Sequence, residues 1–480
     1  MTTGTIDTAG LDGGHHTLTS EQLEDLDTRV RGPLLRPGDQ GWNEAVSIWN
    51  GMAARLPALV LQPTSAHDVA AAVGFARDNG LLLSAKGGGH NIAGTSIAEG
   101  GLTLDMSRMR EVAVDPEAKL VHVGPGCLLG EVDQATQQHG LATVLGFVSE
   151  TGVAGLTLGG GWGYLTRRFG FTVDNLAEVQ VVTADGQLRT ANRDRHPELF
   201  WALRGGGGNF GVVTRFSFRL HQVGPIITGG LIIWSGDRTA EVLAAYRELT
   251  EQAPRELTAA VIVRLAPPAP FLPQAWHGKP IAGIQVCHSG TNADADLAPV
   301  RALGDPIVDL VGPKPYVAVQ SMLNAMEPKW LHRYWKTWFL PGLSSEFLDA
   351  FRSSALQVTS PLSQSIIFHL AGALNDREGD DGAVGNRDAH YIGGFAGTWP
   401  PGAPADPHVA WARDGWARTR PFSTGGTYIN FLLAEDDTAR TADAYGTNYQ
   451  RLQQVKATCD PDNLFRVNRN IPPAGIESGG

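Results

Sequence analysis

Three glycine-rich stretches constrain this chain more than any other feature: SAKGGGHN at 84–91, GGGWGYLTRRFGFTVDN at 159–175 and LFWALRGGGGNFGVVT at 199–214. Glycine makes up 59 of 480 residues, well above the ~7% typical of globular proteins. Glycine accepts positive φ and lets backbone approach closely, so clusters inside a folded domain point to backbone held against something. A strand that feeds a glycine loop can aim successive N–H groups at one spot and cradle an anion. The first loop is not a G-x-G-x-x-G that opens a long helix, and it lacks the G-K-[ST] ending of a P-loop. Taken alone, each loop is equally a tight turn, His90 equally a hydrogen-bonded structural histidine, and Phe210 equally a core residue. Asn209 could bond a polar ring edge. Residues 146–175 are too apolar for a disordered loop and too long for an ordinary connection, which suits backbone lying against a flat ligand.

Periodicity predicts a mixed first half. ALVLQP (58–63) reads as a strand, and Ser65 caps a helix over 66–79 that stops at Gly80. LLLSAK, GLTLDM and KLVHVGPG read as further strands, LLGEVDQATQQH as a helix, and VQVVTADGQLRTAN (179–192) as a hairpin turning at Asp185-Gly186. HPELFWALR reads as a short helix and VVTRFSFRLHQV as an alternating strand. Composition changes near Gly224-Pro225. Residues 226–435 hold eight of the twelve tryptophans, and a helix is expected over 236–254. The spacing of Trp330, Trp335 and Trp338 fits a buried helix face with Arg333 and Lys336 turned to solvent. GGTYINFLL (425–433) alternates like a strand, with Tyr428 and Asn430 on one face. One long helix is expected before Asp460-Pro461.

The class is therefore α+β. The expected divisions are a disordered start (1–20), a first domain (21–224), a second domain (225–435) and a C-terminal segment (436–480) that returns to the first. Formal net charge is -11, from 38 Lys+Arg and 49 Asp+Glu. That balance argues against a nucleic-acid partner, which needs a basic footprint. No run reaches the ~18 apolar residues of a membrane span. The start has neither the basic region nor the apolar core of a secretory signal, so a cytoplasmic protein is expected. Cys127, Cys287 and Cys459 show neither disulfide nor zinc spacing, and no metal site is expected.

In order and spacing, the three glycine motifs together with PDNLFRVNRNIPP (461–473) resemble the berberine bridge enzyme-like branch of the vanillyl-alcohol-oxidase/p-cresol-methylhydroxylase flavoproteins. The likeness runs from about Asn50 to Pro473. It implies a two-subdomain FAD-binding domain of the vanillyl-alcohol-oxidase type, and a substrate domain whose antiparallel sheet is covered by helices. It implies FAD bonded through the ring of His90 to the flavin 8α-methyl carbon, with Gly87, Gly88 and Gly89 cradling the pyrophosphate. Further cofactor contacts are expected from Lys86 and Asn91; from Thr151, Gly152, Gly155, Gly159, Gly160, Gly161 and Gly163; and from Asn209, Gly211, Val213, Asn468 and Asn470. Many relatives have a second anchoring cysteine where this chain has Val148, so a single covalent bond is expected. Thr151 falls at a position that governs oxygen access, and its small size suits an oxidase. It could equally be a buried hydroxyl bonded to backbone.

Hydride transfer to a flavin needs a base in reach of the substrate's O–H or N–H. The resemblance makes Tyr428 the first candidate, beside Asn430. Several relatives carry a catalytic glutamate on the strand that is SQSIIFHLAGAL here, and this chain has Ile366, Ile367 and Phe368 nearby. Either His369 serves as the base or the reaction differs from that of those relatives, and a lone strand histidine is more often purely structural. His390 and Tyr391 are expected in the core or at the rim. The expected activity is an FAD-dependent oxidase, with a small aromatic, heterocyclic or polyketide-like alcohol or amine as substrate and O2 as the oxidant, giving H2O2. Alternatives are a dehydrogenase with another acceptor, a carbohydrate oxidase served by the tryptophans, and a flavin-binding protein without catalysis.

Overall fold

The structure is a computed structural model, and residues 4–475 are described. In the first half, a four-stranded sheet runs in the order Leu34–Leu35, Leu59–Leu61, Leu102–Asp105, Leu83–Lys86, the last three strands parallel. Parallel strands need a crossover, and the helix Ala66–Asp78 follows Leu59–Leu61 to supply one. Ser65 caps it, its hydroxyl accepting from the Asp68 N–H at 3.3 Å. A five-stranded antiparallel sheet runs Leu188–Asn192, Leu176–Val182, Val212–Arg219, Leu120–Val123, Val112–Asp115. Its first hairpin turns at Asp185-Gly186, where Gly186 has φ +79°.

The expected disorder of residues 1–20 is corrected. Residues 1–3 lie outside the described residues, but Ile6–Ala9 and His15–Leu18 form an antiparallel pair. The Ala9 N–H donates to Gly100 O at 2.8 Å, and the Leu11 N–H to Gly80 O at 2.7 Å. Leu18 is buried in the core under the first sheet. Small polar residues here gain order from backbone bonds to the domain, which composition does not register.

From Ile226 to Trp399 the chain builds a large antiparallel sheet. Its order is Val308–Asp309, Ile226–Ser235, Pro280–His288, Leu257–Leu265, Gln364–His369, Tyr391–Trp399, His332–Leu340, with Gly312–Pro315 also paired to Ile226–Ser235. Helices Thr239–Gln252, Ala293–Arg301, Ser345–Ala355 and Asp406–Thr419 cover one face, packing Tyr246, Leu297, Phe351 and Trp411 into a core shared with Val261, Ile284, Ile367 and Phe395. Each such side chain stabilises the fold by roughly 1.5–3 kcal/mol. The other face meets the first half: Phe368 and Ile392 pack with Trp162 and Phe171. Side chains alternate along a strand, so Ile366 and Phe368 face the first half while Ile367 and His369 face the helices.

That alternation corrects the reading of 330–340. The segment is the strand His332–Leu340, paired throughout with Tyr391–Trp399. Three residues apart on a strand means opposite faces. Trp335 faces the first half, and Trp338 lies in the helix-packed core. Arg333 is fully buried rather than solvated. The expected strand at 425–433 is also corrected: Tyr428 precedes a single 3-10 turn, Ile429–Phe431, with no ladder partner. The expected C-terminal helix is two, Thr438–Tyr445 and Tyr449–Cys459, separated at Gly446, φ +53°.

Candidate functional site

A cavity of about 350 Å³ lies between the first half and the open face of the large sheet. All three glycine stretches and the C-terminal segment contribute to its wall. The strand Leu83–Lys86 ends at its edge and delivers Gly87, Gly88, Gly89, His90 and Asn91 into the lining. None of the backbone N–H groups from Gly87 to Asn91 donates to an acceptor among the described residues. These unspent donors stand on the cavity wall, where such a run forms a nest that can take an external anion. Gly89 supplies the turn with φ +70°. The Asn91 carboxamide oxygen accepts from the N–H groups of Ala93 and Thr95, at 3.1 and 3.0 Å, and closes the loop behind His90.

The second glycine stretch crosses the first at close range. A Cβ on Gly88 would stand 2.5 Å from Gly152 N, and one on Gly152 would stand 2.2 Å from Gly88 N. Thr151, Gly152, Gly155 and Gly159 line the cavity, as does Val148. Gly160, Gly161 and Gly163 stand behind that wall. Gly163 packs on Leu145, where a Cβ would meet the Leu145 carbonyl. From the third stretch, Gly207, Gly208, Gly211 and Val213 reach the cavity.

Asn209 does not, and the expected ring contact is corrected. Its Nδ2 donates to Gly206 O at 2.9 Å and Arg469 O at 3.0 Å, and its Oδ1 accepts from the Ile471 N–H at 3.0 Å. Asn209 is a buried clamp that seats the C-terminal segment on the glycine loop. Asn468 lines the cavity with a buried, unpartnered Oδ1, whereas Asn470 lies outside the lining. Lys86 is also outside it. Its Nζ stands 2.9 Å from Asp105 Oδ1 in a buried ion pair between adjacent strands.

His90 stacks on Trp49, ring centroids 4.2 Å apart and planes 22° from parallel. The Arg333 guanidinium lies 3.8 Å from the same indole. Burial, with the charges of Arg333 and Lys329, holds the His90 imidazole down to about 3, so it is neutral across the physiological range. Its Nε2 is buried and has no partner among the described residues. Asn50 locks the arrangement: its Nδ2 donates to Ile92 O at 2.7 Å and Arg333 O at 3.1 Å, and its Oδ1 accepts from the Arg333 N–H at 3.0 Å. The glycine loop and the strand His332–Leu340 are thereby one rigid unit.

The remaining walls are aromatic. Phe147 and Phe368 stack at 4.5 Å, and Trp162, Trp335 and Phe431 pack edgewise around them and one another. Tyr428 and Asn430 do come together, through the 3-10 turn instead of a strand face. The Asn430 amide donates to Tyr428 Oη and to Gly155 O, each at 3.0 Å. Burial pushes the Tyr428 phenol well above its usual value. It is therefore a proton donor at neutral pH, not a ready base, and its own proton has no acceptor among the described residues.

His369 is corrected as a candidate base. It faces the helix side of the sheet, stacks on Tyr391 at 5.2 Å and is absent from the cavity lining. Tyr391 lies in the same core, as expected. On the cavity side that strand presents Gln364, Ile366 and Phe368. Sequence reading missed Gln364, Trp49, Glu327 and Arg469, all of which line the cavity. Strand parity counted from Phe368 would have found Gln364; the others reach the site from loops whose placement no local pattern encodes.

The residues present fit a flavin dinucleotide. They offer an unspent backbone nest for a pyrophosphate, glycines that admit a flat ring, and an unpartnered neutral imidazole. Residues 57–192 match a family model described as an FAD binding domain, and residues 427–472 match one described as berberine and berberine like. (R)-6-hydroxynicotine oxidase of Paenarthrobacter nicotinovorans is 29% identical over 455 residues, covering 93% of this chain and 98% of its own. An FAD-linked oxidoreductase of Dictyostelium discoideum is 29% identical over 92% of this chain and 95% of its own. Among solved structures, 6-hydroxy-D-nicotine oxidase from Arthrobacter nicotinovorans aligns with a TM-score of 0.81 at 28% identity, over 92% of this chain and 98% of that one. Xylooligosaccharide oxidase from Myceliophthora thermophila C1 shares the fold, with a TM-score of 0.83 at 23% identity, over 95% of this chain and 100% of that one.

Proposed function

The chain belongs to the berberine bridge enzyme-like FAD-linked oxidoreductases of the vanillyl-alcohol-oxidase type, and on that premise we propose that it is an oxidase carrying its flavin on one covalent bond to His90. The substrate is a small aromatic, heterocyclic or polyketide-like alcohol or amine, the oxidant is O2, the product is H2O2, and the setting is secondary metabolism in the cytoplasm. One observation carries the covalent assignment. His90 offers a neutral ring with a buried, unpartnered Nε2 inside the cavity, held in place by Trp49. A neutral imidazole has the lone pair that bond formation to carbon requires. Val148, at the position of the second anchor in relatives, has no nucleophile.

When bound, the flavin supplies hydride acceptance from a substrate carbon. The protein's own residues orient the substrate and exclude water. Phe147, Trp162, Phe368 and Phe431 make an apolar slot for a flat molecule. Tyr428 donates its phenolic proton to a substrate oxygen, its oxygen held by Asn430. Arg264 Nη1 donates to Gln364 Oε1 at 3.3 Å, which leaves the Gln364 amide N–H groups for a second substrate acceptor. Of the tryptophans, Trp234, Trp338, Trp399 and Trp411 are spent in the helix-packed core, whereas Trp49, Trp162 and Trp335 line the cavity.

No helix among the described residues is long and apolar enough to cross a membrane. The test is absorbance of the acid-precipitated protein, followed by oxygen uptake with a panel of aromatic alcohols and amines. Flavin colour kept in the pellet of the wild type and lost from that of His90→Ala is the expected result. Colour retained by the variant overturns the covalent assignment. Flavin bleaching without oxygen uptake would make the protein a dehydrogenase.

A further inference from the structure

The strand that carries a catalytic glutamate in several relatives presents only Gln364, Ile366 and Phe368 to the cavity here. A proton acceptor must come from elsewhere. Among the described residues lining the cavity, Glu327 is the sole carboxylate. It follows the 3-10 turn Asn324–Met326 and is fixed from several sides. Asn324 Oδ1 accepts from the Ser149 N–H and hydroxyl, at 3.0 and 2.9 Å, and the Glu327 N–H donates to Asn324 O at 3.1 Å. The Glu327 carbonyl accepts from the Trp49 indole N–H at 3.2 Å. Its Oε2 stands 3.5 Å from Arg333 Nε. The residue is thus tied both to the ring that stacks on His90 and to the loop bearing Val148.

We propose that Glu327 is the general base of the oxidation. Resting on the oxidase reading above, the assignment adds the residue that reading lacks. The Glu327 carboxylate takes the proton of the substrate's O–H or N–H. The electron pair of that bond forms the new C=O or C=N bond, and the adjacent C–H leaves as hydride to the flavin. Two electrons and a hydrogen nucleus pass to the cofactor, and one proton passes to Glu327, which returns it to water after product leaves.

The charged groups facing Glu327 are Arg333 from the strand His332–Leu340 and Arg264 from Leu257–Leu265. Burial raises the carboxyl and both guanidiniums oppose it, leaving it at about 7. A base works best when its proton affinity matches the ambient pH. Arg264 also donates to Gln364 Oε1, so the same guanidinium that acts on Glu327 through its charge holds the orienting amide by a hydrogen bond.

The test uses purified holoenzyme and two measurements. In the infrared, wild type minus Glu327→Gln should show a carboxylic-acid C=O band that fades with a midpoint near pH 7; its absence at every pH from 5 to 9 overturns the assignment. In anaerobic stopped flow, the flavin reduction rate of the wild type should rise through the same pH range. Glu327→Gln should lose roughly 10²-fold or more and become flat with pH, and Glu327→Asp should recover part of the rate. An unchanged rate and pH profile in Glu327→Gln overturns the proposal. Photoreduced Glu327→Gln should reoxidise in air as the wild type does, which separates loss of a base from loss of the site. A wild-type flavin that no panel substrate bleaches would sink the oxidase reading instead, and the infrared band would still decide whether Glu327 holds a titrating proton.

Discussion

Gly88 and Gly152 lie back to back, so close that a Cβ on Gly152 would stand 2.2 Å from the Gly88 nitrogen. Two loops far apart in sequence share one wall, and neither can take a side chain at the crossing. Gly152→Ala is expected to cost about 1–3 kcal/mol, the usual scale of overpacking. It should also splay the loop that bears His90. Thermal unfolding and the flavin-to-protein ratio check this together: both should fall, and a variant with normal flavin content would show that the loops can part without harm.

Tyr428 is held by Asn430 with its own proton free. Tyr428→Phe keeps the ring in the slot and removes that proton. The flavin reduction rate should drop by roughly 10²-fold, the scale of losing one oriented donor at a reacting oxygen. Flavin content should stay unchanged. A rate within twofold of the wild type would mean the phenol only packs.

Lys86 and Asp105 form a buried pair on adjacent strands. Lys86→Met leaves Asp105 buried without its cation, a loss of about 3–5 kcal/mol. Urea denaturation should show it, and Lys86→Met with Asp105→Leu should recover most of it. Flavin content of the folded fraction should not change. A selective loss of flavin would return Lys86 to the cofactor.

Histidine burial gives a signed pH effect. Burial is the first cause holding His369 well below its usual range, aided by the charge of Arg167. The unfolded chain takes up a proton near pH 6.5 that the native His369 refuses, so this part of the stability is intact above 6.5 and is lost as pH falls below it. Glu327 and Asp133, both raised to about 7, act in the opposite sense between 7 and the ordinary carboxylate range. The comparison must therefore be between proteins: from pH 7 to pH 5, His369→Gln should gain stability relative to wild type in chemical denaturation. A constant difference across that range would place a charged His369 in the native fold.

Much of the first half was legible because its signals are local. The Ser65 cap, the Asp185-Gly186 turn and the glycine runs each specify their own geometry. The errors cluster where tertiary contact overrides local pattern. Residues 332–340 carry tryptophans at helical spacing, yet ladder bonds to Tyr391–Trp399 make them a strand and swing Arg333 under Trp49. Tyr428 and Asn430 were paired correctly from an incorrect element: Tyr428 is the extended residue before the 3-10 turn, Asn430 lies inside it, and their side chains meet through the Asn430 Nδ2 to Tyr428 Oη bond. His369 failed on parity alone: one residue along a strand is the difference between the cavity and the core. Glu327 had no signal at all, because a loop glutamate looks solvated until its neighbours are known.

The clamp from Asn209 to Arg469 and Ile471 sets a timetable for synthesis. A nascent chain that has exposed His90 and all three glycine loops still lacks Phe465, Asn468 and Arg469 from the cavity wall. The chamber closes only once those last residues have emerged from the ribosome and docked. The cavity wall is therefore completed late in the life of each molecule, and a chain cut short near residue 460 would carry the whole binding loop without the Phe465, Asn468 and Arg469 that close the cavity over it.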